Sequence, residues 1–326
     1  MTPVDLRNAR DWRAALAAFD PATARSPVTP HAAQMLMTRG LNGPAEAALR
    51  DLLDQAPQHH GALLTLASLL RRMGRRDEAG EFIARAVHIE TEQKDFAPED
   101  RPDVERFLTA ADDCTSSPDR APAAYVANLF DECAETFETL LRDKLKYRGP
   151  ELLLEAVTQV AGRPLENLDV LDLGCGTGLA GEVFRAAARR MDGVDLSPKI
   201  LAQAEAKHVY DRLDVGDLAP HLRSVTSPYD LILAADVFVY LGDLAPVFAA
   251  ARGALRPGGR FAFTTEACDG GEYQLQEVRR YAHSRDYLTR ETAAAGYEVR
   301  YLEESSTRTE ALRPVRSFVC VFSIAE

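Results

Sequence analysis

Cysteine is scarce and scattered, with five residues in 326 at positions 114, 133, 175, 268 and 320. The number is odd, no CxxC occurs, and no Cys/His group has zinc-ligand spacing. A disulfide framework and a metal site are therefore not expected, and the thiols read as reduced. Long apolar runs are also missing. The longest nearly uncharged stretch, Gly61 to Leu70, is about half of the ~20 residues that cross a bilayer, so no membrane bundle is expected. Met1 to Asp20 carries Asp5, Arg7, Arg10, Asp11 and Arg13 and lacks the apolar core of a signal peptide, which predicts a cytoplasmic protein. Positive charge is in deficit: 38 Lys and Arg face 50 Asp and Glu, a net charge of −12. A nucleic-acid partner would need a local basic face to overcome that field. With 46% hydrophobic and 27% charged residues, 20 Gly and 18 Pro, the chain is neither disordered nor collagen-like. Its length has room for two domains.

What the chain does have is a period. Gly40 and Gly74 lie 34 residues apart, as do Ala45 and Ala79, Leu49 and Ile83, and Leu36 and Leu70. The strings GLNGPA and GRRDEA both place Gly, four residues, then Ala. This spacing resembles the tetratricopeptide (TPR) repeat, a 34-residue helical hairpin in which small residues let the helices approach. The resemblance implies repeats at about 26–59 and 60–93, with Pro57 near the end of the first and Thr91 in its place in the second. Trp12 to Phe19 reads as a leftover helix of an incomplete repeat. Two units are fewer than the roughly three a free-standing solenoid needs, so the array is expected to lean on the rest of the chain or on a second subunit, and its expected role is to engage a protein partner or a second copy of the chain. The adjacent His59 and His60 have no ligand partners at metal spacing, and the string Arg71 to Arg76 suits a helix C-terminus. The polar segment Asp112 to Pro122 reads as a linker, giving an all-α domain at 1–118 and a second domain at 119–326.

The second domain opens with helices within 123–162, a first over Ala123 to Leu145 and a second from Glu151 to Val160 after Gly149-Pro150. From Leu168 onward, strand and helix alternate, which predicts a parallel sheet. Strands are expected at 168–173, 191–195, 210–215, 229–235 and 260–265, followed by an antiparallel pair at 297–304 and 317–324. The first strand runs into Gly174-Cys175-Gly176-Thr177-Gly178, and Asp195 ends the next strand. Glycines there permit positive φ and close approach of a ligand. The segment Gly176 to Gly181 also satisfies GxGxxG, so a dinucleotide site stays open on this motif alone. Asp172 before the loop, the string Asp214 to Leu218, and Leu255-Arg256-Pro257-Gly258-Gly259 before the fifth strand favour a different ligand.

Together these residues resemble the class I S-adenosylmethionine (SAM) dependent methyltransferases, type 11/12-like, over roughly 123–326. The resemblance implies a Rossmann-like α/β sheet of five parallel strands with a closing antiparallel hairpin, and SAM as cofactor. It further implies that Gly174, Cys175, Gly176 and Gly178 line the methionine part and that Asp172 meets its amino group. Asp195 with Leu196 would take the ribose, and Asp217 with Leu218 the adenine. Ala235 and Asp236 would face cofactor and acceptor, and Arg148 the cofactor carboxylate. The helix bearing Tyr125, Phe130 and Phe137 resembles a lid over the cofactor. A sulfonium and an ammonium suit these carboxylates, whereas a pyrophosphate would be repelled. His283, after the fifth strand, is expected as a general base, with Tyr240 and Tyr281 lining an acceptor pocket. The expected activity is methyl transfer to an O, N or S nucleophile on a small molecule or a carried group. The alternatives are a non-catalytic SAM-binding TPR scaffold and an NAD(P)-dependent oxidoreductase.

Overall fold

The computed structural model describes residues 11–18, 20, 24, 28, 30–93, 96–110, 118–276, 278–310 and 313–325. The chain divides into two compact units, Met1–Thr109 and Ala110–Glu326. The described part of the first is helical: α1 (Trp12–Ala17), α2 (Pro30–Met37), α3 (Asn42–Gln55), α4 (His60–Arg72), α5 (Arg76–Gln93) and α6 (Arg101–Ala110). The same closure ends α2 and α4. Gly40 and Gly74 take φ of 71° and 82°, and the next residue's N–H reaches back five residues, Leu41 to Leu36 O at 3.0 Å and Arg75 to Leu70 O at 2.9 Å. A left-handed glycine at this point satisfies the carbonyls left open at a helix end. Ala45, Ala79, Leu36 and Leu70 are fully buried, so the 34-residue period marks core positions. His59 caps α4, its Nδ1 accepting the Ala62 N–H at 3.2 Å. Arg75 pairs with Glu46 at 2.7 Å and with Glu78, which places one arginine of the basic string in a surface ion network.

The second unit begins with an extended segment from Pro118, then α7 (Ala123–Cys133), short turns over Phe137–Lys144 and α8 (Gly149–Ala161). The alternating part follows as β1 (Leu168–Leu173), α9 (Leu179–Phe184), β2 (Ala188–Asp195), α10 (Pro198–Glu205), β3 (Arg212–Val215), α11 (Leu218–Arg223), β4 (Tyr229–Ala234), α12 (Ala245–Ala254) and β5 (Leu255–Ala267). The chain ends with β6 (Tyr273–Leu275), β7 (Tyr281–His283), α13 (Arg285–Ala294), β8 (Glu298–Glu310) and β9 (Arg313–Ser323). Strands pair in the order β3-β2-β1-β4-β5, all parallel; β9 then runs antiparallel to β5 and β8 antiparallel to β9. This is the expected α/β sheet with its closing hairpin.

The central strands read as nearly continuous apolar runs because helices cover both faces. On one face Phe238, Phe248, Phe261, Phe263 and Phe322 pack edge-to-face or tilted at 5.0–6.3 Å. On the other, α8 sets Leu153 and Val157 against Val170, Met191 and Leu231. Each such burial contributes about 1.5–3 kcal/mol.

Three expectations need correction. The helix expected over 123–145 stops at Cys133 and resumes as short turns from Phe137. An unexpected hairpin, β6–β7, adds to the sheet, with β7 parallel to the carboxyl end of β5 at Glu266 and Ala267. The expected linker is structured from Pro118 onward, where Ala121 N–H donates to Tyr240 O at 2.9 Å and Asp119 O accepts from Gly242 N at 2.8 Å; its part at 112–117 lies outside the described residues.

Candidate functional site

A cavity of about 220 Å³ opens at the carboxyl ends of β1, β2 and β4, lined among others by Asp172, Gly174, Cys175, Gly176, Asp195, Leu196, Asp217, Leu218, Ala235 and Asp236. Its floor is the turn after β1. Gly174 and Gly176 take φ of 62° and 55°. At Gly174 a Cβ would also lie 2.6 Å from Val237, so no larger residue fits. Val194 O, on β2, accepts the N–H of Gly174 at 2.7 Å and of Cys175 at 3.1 Å, which ties the loop to the sheet. Asp195 closes it from the other side, accepting Gly176 N–H and Ser197 N–H, each at 3.0 Å. Burial raises the Asp195 pKa, and these backbone donors oppose that rise.

Asp172 is 1% exposed, and its carboxylate accepts the Tyr210 hydroxyl at 2.7 Å. Burial pushes its pKa up to about 7; the hydroxyl opposes the shift and Asp195 adds to it. A carboxyl held this way is a receptor for a cation, which would restore its charge. Thr177 Oγ1 is buried on the same loop and has no hydrogen-bond partner among the described residues.

The roof is apolar. Val126, Phe130, Phe137, Leu140 and Leu141 line the cavity from the segment over α7 and the following turns. Asp131 of α7 latches this roof to the start of α10, accepting Ser197 Oγ–H at 2.5 Å and Lys199 N–H at 3.2 Å. Arg120, also lining the cavity, pairs with Asp217 at 2.8 Å. After β4, Asp236 has a left-handed backbone, φ 63°, held by its N–H donating to Thr264 Oγ1 at 2.8 Å. Arg308 grips both Asp236 oxygens at 2.6–2.7 Å. Left-handed non-glycine residues tend to gather at functional sites.

Three residues expected to hold the cofactor or act as the base do not line the cavity. Gly178, φ 88°, begins α9 and packs against Tyr210 behind the loop. Arg148 is exposed, 3.4 Å from Glu155, although its neighbour Tyr147 lines the cavity. His283 is fully buried with both ring nitrogens engaged, Nδ1 by Thr265 Oγ1 at 2.5 Å and Nε2 by Gly242 O at 3.0 Å. Burial pushes its pKa down to about 4. With no nitrogen left for an acceptor proton, it is a core residue stacked on Tyr287. Tyr240 lines the cavity, whereas Tyr281 is buried and donates to Pro118 O at 2.5 Å. The sequence reading missed Arg120, Tyr147, Thr177, Arg280 and Arg308, all cavity-lining. Only Thr177, inside the glycine loop, carried a local signal.

Residues 171–261 match the family model described as a methyltransferase domain. The chain is 37% identical over 91 residues to methyltransferase-like protein 27 of Homo sapiens, covering 27% of this chain and 37% of that protein. It is 30% identical over 155 residues to ubiquinone biosynthesis O-methyltransferase of Azorhizobium caulinodans, covering 42% and 61%. The chain therefore spans less than two thirds of the length of either relative. A solved S-adenosylmethionine-dependent methyltransferase from Clostridium acetobutylicum is 19% identical, with a TM-score of 0.45 over 61% of this chain and 100% of that one. No described helix is long and apolar enough to cross a membrane. The glycine loop after β1 and the strands β2 to β4 lie within the segment that matches the methyltransferase-domain model.

Proposed function

We propose that this chain is a SAM-dependent methyltransferase acting on an oxygen, nitrogen or sulfur nucleophile of a small molecule or of a group carried on a partner. The observation that carries this reading is the meeting of Asp172, the loop from Gly174 to Thr177, Asp195 and Asp217 in one roofed cavity. The lining suits the cofactor. Asp172 awaits a cation, Thr177 Oγ1 a polar partner, and a Cβ on Gly176 would meet only open space. When bound, SAM supplies an electrophilic methyl carbon on a sulfonium. In this reading Gly174, Cys175 and Gly176 lie along the methionine part, with Gly178 shaping the turn behind them. Asp172 holds the amino group, Asp195 and Leu196 the ribose, and Asp217 and Leu218 the adenine. Ala235 and Asp236 stand between cofactor and acceptor. The apolar roof excludes water and holds the reactants in line, which is most of what an in-line displacement asks of a protein. Two relatives are named for O-methylation, one in ubiquinone biosynthesis and one of malonyl-[acyl-carrier protein], which supports oxygen as the acceptor atom.

The same proposal takes 119–326 as the catalytic domain, with roof helices within 123–162, and 1–118 as a TPR-like domain with repeats at about 26–59 and 60–93. The matching helix closures at Gly40 and Gly74 support the repeat. Its role is to engage a protein partner or a second copy, in the cytoplasm. Incubating the protein with methyl-labelled SAM and a small-molecule cell extract tests the activity. A labelled small product is expected. Tight SAM binding with no label transferred to any pool would instead favour a non-catalytic scaffold.

A further inference from the structure

Beside the carboxyl end of β4 the cavity wall is built on an ion cluster. Arg308, with a side chain only 2% exposed, donates from Nη1 to Asp236, from Nη2 to Glu266 and from Nε to Glu310 at 2.8 Å. Arg280 Nη2 donates to both Glu310 oxygens at 2.6 Å, and its Nε lies 2.9 Å from Glu266. Asp236, Arg280 and Arg308 line the cavity, with Glu266 and Glu310 bracing them from behind. Three carboxylates face two guanidiniums, so the cluster is formally one charge negative. Asp195 and Asp217, offset by Arg120 alone, extend the negative field along the rest of the wall, and Asp172 adds to it above about pH 7. A ligand anion placed here would meet that excess in a low-dielectric enclosure.

The groups still open here can all donate, and two of them, being hydroxyls, can also accept. Among the described residues, Arg280 Nη1, Tyr240 Oη and Tyr147 Oη, all on cavity-lining residues, have neither a hydrogen-bond nor an ion-pair partner. Glu310 fixes the guanidinium from one side, and Phe130 packs on the Tyr240 ring at 5.6 Å, so two of the three groups are oriented before a ligand arrives. Fixed donors beside an apolar roof ask for an oxygen that accepts hydrogen bonds, on a body that tolerates desolvation. A cationic acceptor would suit the field but would set its charge against the Arg280 guanidinium.

We propose that Arg280, Tyr240 and Tyr147 form the acceptor-recognition subsite, and that the methyl acceptor is an uncharged, largely apolar molecule presenting a carbonyl or hydroxyl oxygen to them. This assignment rests on the methyltransferase reading above and narrows its substrate class. It is tested with three probes of similar shape, acetophenone, benzoate and ethylbenzene, titrated into the full-length protein saturated with S-adenosylhomocysteine (SAH) and followed by ligand-observed NMR. Acetophenone should bind about tenfold or more tightly than either of the others. Tyr240→Phe, which removes one oxygen and keeps the ring, should cut that preference severalfold, and Arg280→Gln should abolish it. SAH affinity, titrated separately, should hold in both variants. Benzoate binding tighter than acetophenone overturns the uncharged class. Equal binding of ethylbenzene, no binding of any probe, or an unchanged preference in a folded Tyr240→Phe protein overturns the subsite. If SAH does not bind but the ligand-free protein keeps the probe order, the cofactor reading falls and the subsite stands.

Discussion

Replacing Asp172 by Asn should stabilise the ligand-free methyltransferase unit while weakening its hold on SAM. The side chain is buried at the end of β1 and ionises at about 7, against 3.8 for a free aspartate. Between those values the folded state keeps a proton that the unfolded chain has lost. Stability attributable to this group therefore falls as pH rises from about 4 to about 7 and is level above that. The full cost at alkaline pH is roughly 4 kcal/mol. Asn keeps an acceptor for the Tyr210 hydroxyl and has no charge to desolvate, so most of that cost disappears. The two units can be followed separately, because the single tryptophan, Trp12, lies in the first and all ten tyrosines lie in the second. Tyrosine near-UV signal in thermal melts is the assay, and a unit of this size shifts by roughly 2–4 °C per kcal/mol. A gain at about pH 8 that vanishes near about pH 4 is expected, with the Trp12 signal unmoved. SAM affinity in the wild-type protein should fall about tenfold per pH unit below about 7, and Asp172→Asn should lose both that slope and about tenfold in affinity at alkaline pH. A variant equally destabilised at both pH values would refute the claim that Asp172 is a strained, cation-seeking carboxyl.

Other expectations follow from single contacts. Asp195→Ala removes a charged acceptor and frees the N–H groups of Gly176 and Ser197; SAM and SAH affinity should each drop about tenfold or more by calorimetry, and an unchanged value in a folded protein removes Asp195 from the site. His283→Ala should lower unfolding free energy by roughly 1–3 kcal/mol, because Thr265 and Gly242 lose a buried partner, yet leave SAH affinity intact. A selective loss of turnover without loss of stability would restore His283 as a base. A fragment beginning at Ala110 should bind SAH like the whole chain. One beginning at Pro122 loses Arg120 and the Ala121–Tyr240 bond and should bind it several-fold more weakly; equal titration curves would show that the segment from Pro118 does not help close the cavity.

The glycine loop and the alternating strands were legible because their causes are local. β1 is buried on both faces and so reads as an apolar run, and the turn after it needs backbone that only glycine supplies readily. The period of 34 was legible for the same reason, since it repeats a helix-ending glycine and a fully buried alanine. His283 was misread because a polar residue after the fifth strand suggested a loop at the ligand end of the sheet. β5 instead runs on to Ala267, and a three-residue strand pairs with its end, carrying His283 into the core. Strands as short as Tyr273–Leu275 and Tyr281–His283 have no room for a visible alternation. The ion cluster was invisible for a different reason. Arg280 and Arg308 come together only when the closing hairpin folds back on β5, and no spacing in the sequence announces that contact.

Equilibrium titration of the full chain with SAM, in parallel with NADH, tests the central claim most directly. The carboxylate-lined cavity should give saturable binding of SAM and none of NADH, whose pyrophosphate would face Asp172, Asp195 and Asp217. Binding of NADH in preference to SAM would contradict the account at its root.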